Sequence, residues 1–114
     1  MDAGRLGAML DLRQFAVLDA IARTGSLAAA ARDLHYGQPT VSHHLRALER
    51  YLNIKLVDRS ASGTELTAAG EVFLAHTRAV TERLRVAERD IAELRDHGHR
   101  VPVSYTHLTL PTIC

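Results

Sequence analysis

The segment Ser26 to Glu49, SLAAAARDLHYGQPTVSHHLRALE, constrains this chain more than any other stretch. It holds two apolar patterns of helical period. Leu27, Ala30, Ala31 and Leu34 recur at i, i+3, i+4 and i+7, so they lie on one narrow face. Val41, Leu45 and Leu48 repeat the pattern at i, i+4 and i+7. Between the two lie Tyr36, Gly37, Gln38 and Pro39. Proline fits the first turn of a helix, where its missing N–H is not needed, and breaks a helix interior. The spacing therefore predicts one helix capped by Ser26 and ending at His35-Tyr36, a sharp turn, and a second helix with Gly37 as its N-cap. The alanines of the first helix let a neighbouring helix approach closely.

With Val41, Leu45 and Leu48 pointing inward, the second helix is left with Gln38, Thr40, Ser42, His43 and Arg46 facing out. Short polar side chains and an arginine on the N-terminal half of a helix suit entry into a DNA major groove. The formal net charge is only +1, so overall charge makes no case for a nucleic-acid partner. Local charge says more. Between Arg32 and Arg59 the bases Arg32, Arg46, Arg50, Lys55 and Arg59 outweigh the acids Asp33, Glu49 and Asp58, with His35, His43 and His44 interleaved. A phosphate-facing surface needs such an excess.

The flanking sequence completes a small mainly α domain. Leu12 to Arg23 is strongly apolar and reads as a mostly buried helix, ended by Thr24-Gly25. After the second of the short helices, Asn53 supplies a left-handed stop. Lys55-Leu56-Val57-Asp58 and Thr64-Glu65-Leu66 are short strand candidates around the polar turn Ser60 to Gly63, a β-hairpin wing. Thr67 caps a long helix to about Asp96. In it Phe73, Val80, Leu84, Ala87, Ile91 and Leu94 form a heptad seam flanked by Arg and Glu. So long an amphipathic helix is expected to bury its seam against a partner helix, most simply that of its own copy.

Several chemistries find no support. Cys114 is the only cysteine, which excludes an intrachain disulfide or a cysteine-built zinc site. Adjacent His43 and His44 point about 100° apart on a helix and do not chelate one ion together. Asp11, Asp19 and Asp33 pair with no nucleophile, so no enzyme activity, metal or cofactor is expected. No apolar run is long enough to span a membrane and no signal peptide is present, which points to a cytoplasmic protein.

The motifs DLRQF (Asp11 to Phe15), GSLAAAARDLH (Gly25 to His35), GQPTVSHHLRALE (Gly37 to Glu49), LVDR (Leu56 to Arg59) and ELTAAGE (Glu65 to Glu71) stand in a characteristic order. They resemble the amino-terminal domain of LysR-type transcriptional regulators over Leu10 to about Asp96. The resemblance implies a winged helix-turn-helix of three helices and a β-hairpin wing at 10–66, then a linker and dimerisation helix at 67–97. It also implies a DNA-binding regulator that dimerises through antiparallel linker helices on an inverted-repeat operator. Full-length members could form tetramers, and a small-molecule effector would bind only through a further carboxy-terminal domain. By motif, Gln38, Pro39, Thr40, Ser42 and His43 match the start of the recognition helix, with Arg46 a turn further on. Ser26 matches the cap of the preceding helix, Arg50 joins Arg46 as a phosphate contact, and Arg59 is placed at the root of the wing. Three departures set expectations. Gly37 stands where Ser or Thr is usual, His43-His44 replaces a commoner basic-plus-Gln pair, and the wing turn with Glu65 lacks a minor-groove Arg or Lys. A weak wing contribution and a shallow salt dependence are expected. An alternative reading is an interaction module that pairs with intact regulators through its heptad helix without binding DNA productively.

The ends are read separately. Residues 1–9 are expected to be a disordered extension, with Met9 the natural start. Composition changes abruptly after Arg100, and VSYTHLTLPT (Val103 to Thr112) reads in one frame as a transposase-type sequencing-library adapter. Residues 98–114 are therefore expected to be non-native, leaving Cys114 without a role and the natural chain continuing beyond Arg100.

Overall fold

A computed structural model of the chain describes residues 10–60 and 63–97. The expectations for 1–9 and 98–114 lie outside the described residues. The described chain runs α1 (Leu12–Thr24), α2 (Leu27–Leu34), α3 (Gln38–Leu52), β1 (Val57–Ser60), β2 (Gly63–Leu66) and α4 (Ala68–Asp96). This is the mainly α winged helix-turn-helix followed by a long helix that the motifs imply.

Local chemistry sets the helix ends. Asp11 closes a capping box on α1: its carboxylate accepts the N–H groups of Arg13 and Gln14 at 2.8 and 3.2 Å, and the Gln14 side chain accepts the Asp11 N–H. Gly25, at φ 87°, turns the chain out of α1 while its N–H donates to the Ile21 carbonyl. The Ser26 hydroxyl then accepts the Ala29 N–H at 3.0 Å and starts α2. Between them the three helices bury Val17, Leu18 and Ile21 of α1, Leu27, Ala30 and Ala31 of α2, and Val41, Leu45 and Leu48 of α3. Each large side chain so buried contributes about 1.5–3 kcal/mol. Helix propensity differs by only tenths of a kcal/mol between ordinary residues. Packing therefore decides which face of α3 turns inward.

The wing begins later than its composition suggests. Lys55 and Leu56 were expected in its first strand, but β1 starts at Val57 and pairs antiparallel with β2, Val57 opposite Leu66 and Ser60 opposite Gly63. The backbone groups of Lys55 and Leu56 are already engaged. Glu49 accepts the Leu56 N–H, the Thr67 hydroxyl donates to the Lys55 carbonyl at 2.7 Å, and the Thr67 N–H donates to the Leu56 carbonyl at 2.9 Å. Ser60 and Gly63 are strand residues rather than turn residues, and Ala61-Ser62 between them lies outside the described residues. Arg59 is consequently near the tip, opposite Thr64, and not at the root.

The chain divides into two compact units, one through Thr81 and one from Glu82. In the first, the Thr67 hydroxyl accepts the Gly70 N–H at 3.0 Å and caps α4. Gly70 passes so close to the Leu56 carbonyl that a Cβ there would overlap it. Leu74 and Thr77 are buried, and the Phe73 ring meets Phe15 edge-on with centroids 5.9 Å apart. Phe73 thus packs against its own domain's core, unlike Val80 of the heptad pattern, which is 45% exposed. An ion-pair chain also ties three helices. Arg78 of α4 donates to Asp19 of α1 at 2.6 Å, Asp19 accepts Arg23 at 2.8 Å, and Arg23 donates to Asp33 of α2 at 2.8 Å. In the second unit, α4 continues to Asp96 with Leu84 and Ile91 exposed and an Arg85–Glu82 ion pair at 2.7 Å. Ala87 is exposed there too, and Leu94 is half-buried.

Candidate nucleic-acid interface

The turn between α2 and α3 is closed by backbone bonds. His35 takes the left-handed conformation at φ 60°, where glycine is usual, and the Tyr36 N–H reaches back to the Ala31 carbonyl at 2.9 Å. This is the Schellman arrangement, with Tyr36 packed against the core as its apolar anchor. The sequence places the stop correctly, but nothing local marks His35 as left-handed. Asn53 ends α3 the same way at φ 58°, as its residue type suggests.

Gly37 starts α3 with no side-chain cap; its carbonyl instead accepts the Thr40 and Val41 N–H groups at 3.1 and 3.3 Å. At 100° per residue, Pro39, His43, Arg46 and Arg50 form a stripe opposite the buried Val41, Leu45 and Leu48. Gln38 and Ser42 lie on the flank shared with Glu49, and Thr40 lies on the other. Gln38, Pro39, Thr40, His43, Arg46 and Arg50 are exposed, and Ser42 is half-buried. His44 leans between its neighbours, 6.0 Å from the Tyr36 ring and 5.7 Å from that of His43. Ser26 lies apart on α2, half-buried and committed to its cap.

The wing joins α3 through a cleft of 380 Å³ lined by Ser42, Arg46, Glu49, Lys55, Asp58 and Arg59 among others. A second hollow shares Arg46, Glu49 and Lys55 with it and adds Arg50. Lys55 was not among the site residues read from the sequence. Its composition suggests a strand, but it lies ahead of β1 with its carbonyl accepting the Thr67 hydroxyl, and the cleft places it beside Arg46. Arg13, Arg23, Arg78, Arg85 and Arg95 are in ion pairs, whereas Arg46, Arg50, Lys55 and Arg59 around α3 and the wing are in none among the described residues, nor are Arg32 on α2 and Arg83 and Arg89 on α4. Unpaired cations are available to a polyanion without first breaking an internal contact. The wing carries an opposing element, since Asp58 lies directly across from Glu65. Among the described residues no cluster of three His, Cys, Asp or Glu could hold a metal ion, and no helix is long and apolar enough to cross a membrane.

This arrangement has known counterparts. Residues 12–71, more than half of the chain, match the model of the bacterial regulatory helix-turn-helix protein, lysR family. The chain belongs to the LysR family. The HTH-type transcriptional regulator TcbR of Pseudomonas sp. (strain P51) is 41% identical over 97 residues, covering 84% of this chain and 33% of TcbR. PunR of Escherichia coli (strain K12) is 38% identical over 78 residues, covering 68% of this chain and 25% of PunR. The LysR-family chain thus spans about a third or less of the length of these relatives. Among solved structures, the CbnR DNA-binding domain in complex with DNA superposes with a TM-score of 0.67 at 40% identity, covering 74% of this chain and 98% of that one. Full-length CbnR with its target DNA gives a TM-score of 0.66 at 40% identity, covering 73% of this chain and 29% of that one.

Proposed function

We propose that this LysR-family domain is the sequence-reading part of a transcriptional regulator and binds double-stranded DNA as a dimer on an inverted repeat. The observation that carries the reading is the grouping of unpaired cations around the exposed polar face of α3. In this reading α3 enters the major groove. Gln38, Thr40, Ser42 and His43 meet base edges, with Gln38 suited to adenine and the Thr40 methyl or Pro39 ring to a thymine methyl. Arg46, Arg50, Arg59 and the newly recognised Lys55 contact phosphates, as does the α2 N-terminus at Ser26. Dimerisation uses the α4 seam of Val80, Leu84, Ala87, Ile91 and Leu94, without Phe73, which the core of its own domain engages. The CbnR structures, which contain DNA, support the reading. A full-length protein of this kind would work in the cytoplasm and take its effector through a further domain; a tetramer is compatible with it.

Mobility shifts on a selected duplex and on random DNA test the assignment. Gln38→Ala is expected to cost about 1–3 kcal/mol on the selected duplex and little on random DNA. Arg50→Ala is expected to weaken both alike. Equal losses on both duplexes for Gln38→Ala would refute base reading by this helix. The alternative, a module that pairs with intact regulators and ignores DNA, would leave the cations grouped around α3 without a partner. Dimers in gel filtration that shift no duplex would favour it.

A further inference from the structure

Lys55 is the only lysine of the chain; every other Lys/Arg position is arginine. The two side chains differ in chemistry. A guanidinium keeps its proton in proteins, whereas an ammonium group can release one and become a nucleophile. An acyl donor therefore finds a single side-chain amine, and that amine belongs to the cleft between α3 and the wing. The backbone there is held. The Lys55 carbonyl accepts the Thr67 hydroxyl at 2.7 Å, and the Leu56 N–H donates to the Glu49 carboxylate at 2.8 Å. The side chain is exposed and in no ion pair among the described residues.

The surroundings of Lys55 suit a phosphate group. Its cleft of 380 Å³ takes in Arg46 and Arg59, and the adjoining hollow adds Arg50. The acids of the cleft are Asp58 and Glu49, and Glu49 is already bound to the N–H groups of Leu56 and Val57. A small dianion entering the cleft meets unpaired guanidinium groups, whose fork of donors matches phosphate oxygens.

We propose that Lys55 is an acylation site: an acyl phosphate held by Arg46 and Arg59 transfers its acyl group to the Lys55 amine and so removes a cation from the DNA-facing cleft. Water takes one proton from the ammonium group. The neutral Nζ attacks the carbonyl carbon of the acyl phosphate, and the bond from that carbon to the bridging oxygen breaks. Hydrogen phosphate leaves with the second amine proton, and an uncharged amide remains. The consequence for DNA rests on the proposed reading of the domain as a DNA binder. With one phosphate contact fewer, binding weakens on every sequence alike.

The test uses the full chain. It is incubated with acetyl phosphate, acylation is followed by intact mass and peptide mapping, and affinity for a random-sequence duplex is measured by mobility shift. Lys55 is expected to gain one acetyl group. Binding is expected to fall about five- to tenfold at about 0.1 M salt, with the salt slope lower by about one. Lys55→Arg, which keeps the charge and lacks the amine, is expected to bind equally before and after treatment. A loss on treatment of this variant as large as that of the parent overturns the proposal, because it puts the effect at the α-amino group. Arg46→Gln is expected to slow acylation by acetyl phosphate about threefold, and to leave acylation by the uncharged donor p-nitrophenyl acetate at the parent rate. Parent-like acylation by acetyl phosphate in this variant, or equal slowing with both donors, overturns the capture of phosphate by the cleft. An unmodified Lys55 overturns the proposal outright, and so does an acetylated chain that binds as before. An untreated parent chain that binds no duplex overturns the DNA-binding reading itself, while the mass of the treated chain still decides whether Lys55 is acylated.

Discussion

The carboxylate of Glu49, on the outward flank of α3, accepts the backbone N–H groups of Leu56 and Val57 at 2.8 and 3.3 Å. One acid on α3 thereby satisfies two donors at the start of the wing and binds the two elements together. Hydrogen bonds to a charged group contribute about 1.5–3 kcal/mol. Glu49→Ala is expected to lose about 2 kcal/mol in urea denaturation, and Glu49→Gln, which keeps an acceptor, less than half of that. Amide exchange at Leu56 should accelerate in Glu49→Ala; an unaltered rate would rule out the clamp.

Gly70 is held by space and not by backbone angle, since an added Cβ meets the Leu56 carbonyl, a backbone atom that cannot rotate away. Gly70→Ala raises helix propensity by about 1 kcal/mol yet is expected to destabilise by about 2 kcal/mol net, because overpacking outweighs propensity here. The comparison is the melting temperature beside that of Ala75→Gly, an exposed helical position where only propensity is lost. A Gly70→Ala protein as stable as the parent would show that α4 shifts freely on the wing.

Asp58 and Glu65 face each other across the hairpin, and like charges directly opposite weaken a strand pair. Glu65→Gln is expected to stabilise the domain by about 0.2–1 kcal/mol. It should also tighten binding to any duplex, random or selected, by removing a charge that repels phosphate. Weaker binding to random DNA in this variant would contradict the repulsive role.

Acid should unfold the domain late. Burial pushes the Asp19 carboxyl up, but hydrogen bonds from Arg23 and Arg78 outweigh it and hold the group below its ordinary value of 3.8. A hydrogen bond from Arg23 lowers Asp33 as well. For a carboxyl lowered in the folded state, the stabilisation is complete above the unfolded value and disappears as pH falls through the folded one. Thermal melting is therefore expected to show no loss from these two groups between pH 7 and about pH 5, and a progressive loss below about pH 4. Asp19→Asn should flatten the acid limb. An equally steep limb in that variant would place the acid sensitivity elsewhere.

Much of this architecture was legible from residue order because its causes are local. The periodicity of Leu27, Ala30 and Ala31 and of Val41, Leu45 and Leu48 located α2, α3 and their buried faces. Ser26, Pro39, Gly25 and Asn53 marked the ends, since capping and φ preference act within a turn of chain. The exposed positions of Gln38, Thr40, His43 and Arg46 followed from the same geometry.

What tertiary structure decided depends on groups far apart in the chain. The wing starts at Val57, while the Glu49 carboxylate holds the Leu56 N–H, the Thr67 hydroxyl holds the Lys55 carbonyl, and Lys55 lies beside Arg46 in the cleft. Heptad spacing could not separate Phe73, packed on Phe15 of its own domain, from Val80, left exposed, because periodicity names a face and not what covers it. Arg78 and Asp19 are separated by 59 positions, and no local pattern pairs them. Helix ends and faces are short-range properties of the covalent chain; which arginines are spent within the domain and which stay free is settled only when the helices are packed.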